Sequence, residues 1–149
     1  MKQPFFLYLL LVLQLFLGIC AFAGGSLLIL KPDGSLLGMQ SGWLNHSPFH
    51  NYIIPGLILF TFSGLFPLFT FVGLLLRPDW KWADAFNIYH TMHWSWTYSF
   101  YSGIVIIVWI TAQLILTQFF WLQPIILFTG VFIIICTMVP AVINYFEIK

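Results

Sequence analysis

Four long apolar runs, 5–23, 53–76, 96–117 and 124–146, contain no Asp, Glu, Lys, Arg or His. Each comes close to or exceeds the about 20 residues that a helix needs to cross the roughly 30 Å hydrocarbon layer of a bilayer. In lipid, every backbone N–H and C=O must be paired within the protein, which leaves only helices or a closed barrel. Runs this continuous lack the residue-by-residue alternation of a barrel strand. The sequence therefore predicts an all-α integral membrane protein, a four-transmembrane-helix bundle. Composition agrees: 61% of the residues are hydrophobic and 6% charged, against about 25% charged in ordinary soluble domains. With 149 residues there is room for one domain. A net charge of +1 provides neither a basic patch for nucleic acid nor an acidic tail. Cys20 and Cys136 sit inside apolar runs without a C-x-x-C pattern, so neither a disulfide framework nor a zinc site is expected.

The few charges orient the bundle. Lys2, Arg77, Lys81 and Lys149 flank one side of the spans, and only Lys31 falls on the other. By the positive-inside bias, both termini and the 77–94 loop face the cytoplasm, and the 24–52 segment forms an outer cap. The opening residues also resemble a secretory signal, with Ala-Phe-Ala before Gly24. Their apolar run is longer than a usual signal core, so it reads as a retained helix.

Helices in lipid associate through close packing of small residues and a few buried polar contacts. Ser95, Ser99 and Gly103 recur every four residues in the third run, and Gly56, Ser63, Gly64 and Gly73 mark the second. Gln14 and Gln113 are amides within the spans and should point inward to a partner. Trp43, Trp80, Trp82, Trp94, Trp96 and Trp121 fall at the expected interfaces, whereas Trp109 lies inside the third span near Gln113.

Chemistry-bearing patterns are scarce. No ionisable residue lies at depth, as proton relays and ion sites in membranes require, and no catalytic motif is present. Neither an enzyme nor a cofactor is expected. Histidines offer only weak metal candidates. Pro48 separates His46 from His50, and His90 and His93 could share a helix face, but the two pairs fall on opposite membrane sides and lack further ligands. In the outer segment, LLIL-KPDGS-LLGM brackets Pro-Asp-Gly, a turn signal that predicts a short β-hairpin in an ordered loop.

The stretches PDGSLLGM, SPFHNYIIPG, HWSWTYSFYSGIVIIVWITAQ and WLQP resemble a widespread group of small, uncharacterised four-helix bacterial membrane proteins. The resemblance covers residues from about 24 to 130. It implies a four-span bundle in a bacterial inner membrane and carries no catalytic assignment.

Two functions follow as expectations. The first is a non-enzymatic accessory or interaction subunit, whose partners are membrane lipids and either another membrane protein or a second copy met through the small-residue seams. The alternative is a binder or carrier of a lipid-like or quinone-like molecule beneath the outer cap, between Trp43, Trp109 and Gln113. The topology has a direct test. A cysteine introduced in the outer cap should be labelled from outside intact cells and one at position 80 should not, and the reverse pattern would overturn the orientation.

Overall fold

The computed structural model describes residues 2–149. Helix α1 spans Phe5–Leu30, followed by a loop with two 3-10 turns, Ser35–Leu37 and Ser41–Leu44. The second span comprises α2, Ile53–Ile58, a π-helical stretch, Leu59–Leu65, and α3, Phe66–Leu76. A short α4, Lys81–Asp84, precedes α5, Trp94–Leu116. The chain ends in α6, Leu122–Met138, and α7, Pro140–Phe146, which are bent by 65° at Val139. Three helices are long and apolar enough to cross a membrane, and the bent pair makes a fourth.

Prolines explain both irregularities. Pro67 has no N–H, and its ring would collide with the carbonyl of Ser63 four residues earlier. The wider π turn just before it relieves that conflict. Pro140 likewise cannot continue α6, so a new helix starts there at an angle.

Backbone contact joins α1 to the second span. A Cβ on Gly25 would stand 2.6 Å from the Phe60 amide nitrogen and 2.8 Å from the Gly56 carbonyl oxygen. A Cβ on Gly64 would stand 2.9 Å from the nitrogen of Phe22. A second seam joins α5 to α6, where a Cβ on Gly103 would lie 3.1 Å from the Gly130 oxygen. Between the two pairs runs a buried polar chain. Thr137 donates to the Ile133 carbonyl at 2.6 Å, so Ser99 must donate to Thr137 at 2.8 Å. The Gln14 amide then donates to Ser99 at 3.1 Å and to Ser102 at 2.8 Å. Every hydroxyl in this chain has a partner, as groups withdrawn from water require.

The expected hairpin is absent. Leu27, Leu28, Ile29 and Leu30 form the last turn of α1, and no strand is found among the described residues beyond an isolated bridge between Met92 and Glu147. Nothing in that apolar stretch opposes helix continuation, and Leu28 is buried under the loop as part of the helix. The turn itself exists: Gly34 has φ +79°, and its carbonyl accepts from the Met39 amide at 2.9 Å. Tyr52 pins the loop from below. Its amide donates to the Pro32 carbonyl at 2.8 Å and its hydroxyl to the Gln40 carbonyl at 2.7 Å.

Two of the tryptophans placed at the interface by sequence are core residues instead. Trp94 is 2% exposed and Trp96 5%. Their indole N–H groups donate to the Pro78 and Thr137 carbonyls, both at 2.8 Å. The break at Val139 leaves the Thr137 carbonyl near a helix end without its usual partner, and Trp96 supplies one.

Replacing Gly103 with Leu should lower stability by roughly 1 to 3 kcal/mol through overpacking. Gly25→Leu should cost more, because the added atoms meet backbone, which cannot rotate away. Thermal melting in detergent reads both. Parent-like melting of the Gly25 variant would show that the seam does not hold the bundle.

Candidate functional site

At the loop end of the bundle the second and third spans diverge. Residues Pro55 and Leu59 on one side and Trp109, Ala112, Gln113 and Leu116 on the other do not meet but face a cavity of about 70 Å³. The interhelical loop roofs it with Met39, Trp43, Leu44, Ser47 and Phe49. The turn between α5 and α6 closes a further side with Phe120, whose ring lies 6.1 Å from that of Trp43. The loop stays in place because Leu28, Leu44 and Tyr52 form a small core of their own.

The lining is mainly apolar, and no Lys, Arg, His, Asp or Glu belongs to it. Its polar groups are amides, hydroxyls and the indoles of Trp43 and Trp109. Gln113 accepts from the Gln123 amide at 3.4 Å, beyond the usual range of about 2.7–3.2 Å for a good bond. Gln123 is better held, since its Oε1 accepts from the Phe120 amide at 3.0 Å. Trp109 is different. Among the described residues, Ser63 Oγ, His93 Nε2 and Trp109 Nε1 are buried side-chain atoms without a hydrogen-bond partner. Of these, only Trp109 belongs to the cavity wall. Such orphans are uncommon in native structures and mark either strain or a missing partner.

The structure thus brings Trp43, Trp109 and Gln113 around one cavity. Sequence reading did not find Tyr52, Ala112 or Leu116, because ordinary apolar and aromatic residues reveal their wall positions only once the helix faces are known. The histidines are scattered. His46 and His50 are exposed loop residues, and His90 is exposed as well. His90 and His93 do not share a helix face: His90 lies in a turn and His93 caps the N-terminus of α5. The helix starts one residue after His93 because His93 Nδ1 accepts from the Ser95 amide, which fixes that boundary. Among the described residues no group of three or more His, Cys, Asp and Glu is placed to hold a metal ion.

His93 closes the opposite end of the bundle. Its amide donates to the Phe146 carbonyl at 2.9 Å, and the Ile148 amide donates to the Thr91 carbonyl at 2.8 Å. The Arg77 guanidinium stacks 4.6 Å from the Tyr145 ring centroid. Together these contacts clasp the C-terminal residues against the 77–93 loop. Burial pushes the His93 pKa down, and the Arg77 charge adds to this; the Pro78 carbonyl, Asp79 and Asp84 oppose it.

A helical bundle whose spans are long and apolar enough to cross a membrane, with a roofed, uncharged cavity between two of them, is the class that composition and geometry together define. No protein-family model, curated protein or solved structure matches the chain.

The lowered His93 pKa has a consequence for stability. An unfolded histidine takes up a proton below its ordinary value of 6.5, while the folded one resists. Stability is therefore fully present above that value and falls as pH drops below it toward the folded pKa. Melting temperature against pH should show this loss in the parent and a flatter profile in His93→Asn, which keeps a capping side chain but cannot titrate. Identical slopes would remove His93 as the cause.

Proposed function

We propose that this chain is a non-enzymatic integral membrane protein that binds a lipid-like or quinone-like molecule beneath its interhelical loop. The carrying observation is the cavity itself, with the unpartnered Trp109 indole N–H in its wall and the loosely held Gln113 one turn away. An acceptor atom of a bound molecule would complete the hydrogen bonding of a donor that costs roughly 1 to 3 kcal/mol to leave bare. Ring and chain atoms would pack on Trp43, Leu44, Leu116 and Phe120. With no charged side chain in the wall, a charged head would be desolvated without compensation, so the head is uncharged. Its size is limited too. One water needs about 10–15 Å³ by the same measure, so a cavity of about 70 Å³ suits a compact ring or a glycerol-sized head.

The rival role, an accessory or interaction subunit, drew on small-residue seams as docking faces. Gly18, Gly25, Gly56, Gly64, Gly103 and Gly130 all meet another helix of the same chain. That use within the bundle favours the binding role. The location that goes with it is a bacterial inner membrane with both termini cytoplasmic, so that the cavity lies near the outer surface.

The test is equilibrium binding of a decyl-substituted benzoquinone to the detergent-purified protein. Ala112→Leu adds bulk to the wall and should weaken binding by about tenfold or more, equivalent to about 1.4 kcal/mol. Gln113→Leu, similar in size, should weaken it less. Equal binding by parent and Ala112→Leu would reject the cavity as the site.

A further inference from the structure

We infer that the bound molecule is a single-chain amphiphile whose tail lies in the groove between the second and third spans, and that it enters sideways from the bilayer. This rests on the binding role proposed above and specifies the ligand and its route.

The groove is a second, open concavity of about 310 Å³, lined by Phe62, Phe66, Tyr101, Ile104 and Val105; no polar atom faces it, the Tyr101 hydroxyl donating to the Phe86 carbonyl instead. It lies along the same face of α5 as the cavity under the loop, farther from the loop. On α5, Tyr101 and Val105 of the groove are followed at four-residue steps by Trp109 and Gln113 of the cavity. On the second span, Pro55 and Leu59 of the cavity are followed at steps of three and four by Phe62 and Phe66 of the groove. On α5, residues four apart share a helix face, so the two concavities lie along one ridge of that helix; on the second span, where Leu59–Leu65 is π-helical, the groove residues simply follow the cavity residues along the chain. The combined feature is polar only at the loop end, where the amides and the indole lie, and purely apolar farther in.

Its dimensions fit one chain. At a rise of about 1.5 Å per residue, Val105 lies about 12 Å along α5 from Gln113, close to the length of an extended decyl chain. The groove is also open to lipid. Phe62 is 53% exposed and Ile104 41%, and Val108, between the two concavities on α5, is 62% exposed. A molecule already dissolved in the bilayer can therefore slide in between the spans without crossing the loop. The loop then acts as a fixed roof over the head, held by the Tyr52 bonds to Pro32 and Gln40. Because lipid is as apolar as the groove, the tail contributes position more than affinity. A readout of position is therefore the appropriate one.

The experiment uses the whole protein in phosphatidylcholine nanodiscs with two photoreactive probes. Both are benzoquinones with a decyl chain, one carrying a diazirine on the ring and the other at the end of the chain. After irradiation, peptide mapping locates the adducts. The ring probe should label around Trp43, Trp109 and Gln113. The tail probe should label Phe62, Phe66, Ile104 and Val105. Val105→Trp fills the groove from a half-buried position and should abolish tail labelling of Phe62 and Phe66 while its melting temperature stays close to that of the parent. An excess of monodecanoylglycerol should remove both sets of adducts, whereas decyl phosphate should not. Ring adducts in the cavity with tail adducts spread over the lipid-facing side of α1, at Leu9, Val12 and Phe16, would overturn the groove and leave the binding role intact. Displacement by decyl phosphate would overturn the uncharged head. Absence of ring adducts under the loop would overturn the binding role itself.

Discussion

Backbone contact between the first two spans comes before everything else in this bundle, because lipid offers helices no hydrophobic gain for leaving it. Close approach is what remains, and it is available where side chains are missing. Gly25 and Gly64 let α1 and the second span touch backbone to backbone over several turns, and Gly103 and Gly130 do the same for α5 and α6. The result is two tight pairs. The pairs are joined by apolar packing of Leu7, Leu10 and Leu17 with Ile106 and Ile133, by the close approach of Gly73 to Trp94, and by a directional link, the donor chain from Gln14 through Ser99 to Thr137 and the Ile133 carbonyl. Interhelical hydrogen bonds in membranes average only about 0.6 kcal/mol each, so this link fixes register more than it supplies cohesion.

Two pairs joined at one level are free to diverge at another. Toward the loop, α5 and the second span separate, and no helical ridge is present to fill the gap. The loop fills it imperfectly. Its second 3-10 turn brings Trp43 and Leu44, and the residues after it Phe49, over the opening, but they cannot interdigitate as a regular helix would, and a cavity is left. At the opposite end the same problem has a different solution. Trp80, Trp94 and Phe69 stack with ring centroids 5.3 to 5.6 Å apart, and the backbone bonds between the 91–93 segment and the C-terminal residues close that end. One end is sealed by flat rings and the other is roofed over a space.

The helical spans could be read from the sequence because uninterrupted apolar runs have few alternatives in lipid. Gln14 could be read as inward-facing for a similar reason, since an amide in hydrocarbon must find a partner. The hairpin was misread at Leu27–Leu30 because a turn signal marks where a chain reverses, not whether the preceding residues are strand or helix. Trp94 and Trp96 were misplaced because tryptophan serves equally as an interface anchor and as a donor to a carbonyl freed by a chain break. Pro78 and Pro140 stand at those breaks, yet which indole reaches which carbonyl depends on tertiary contact. Of the cavity wall, Trp109 and Gln113 stand out as polar groups one turn apart in an apolar span. Tyr52, Ala112 and Leu116 carry no such mark.

The difference between scaffold and site in this chain is one of unfilled hydrogen bonds. Gln14, Ser99, Ser102 and Thr137 are buried and paired with one another and with backbone carbonyls, so the group leaves no unmet demand. Trp109 is half-buried with its indole N–H buried and bare, and Gln113 is tied by a single long contact. In a soluble protein, water would answer both. At membrane depth the available answers are a trapped water, which needs several polar partners, or a molecule that arrives with its own acceptor. The cavity around Trp109 is mainly apolar, and an apolar groove at Phe62 and Ile104 lies farther along the same pair of spans. Such a wall solvates a water poorly and an amphiphile well, so the unmet donor and the apolar groove both support the binding role proposed above.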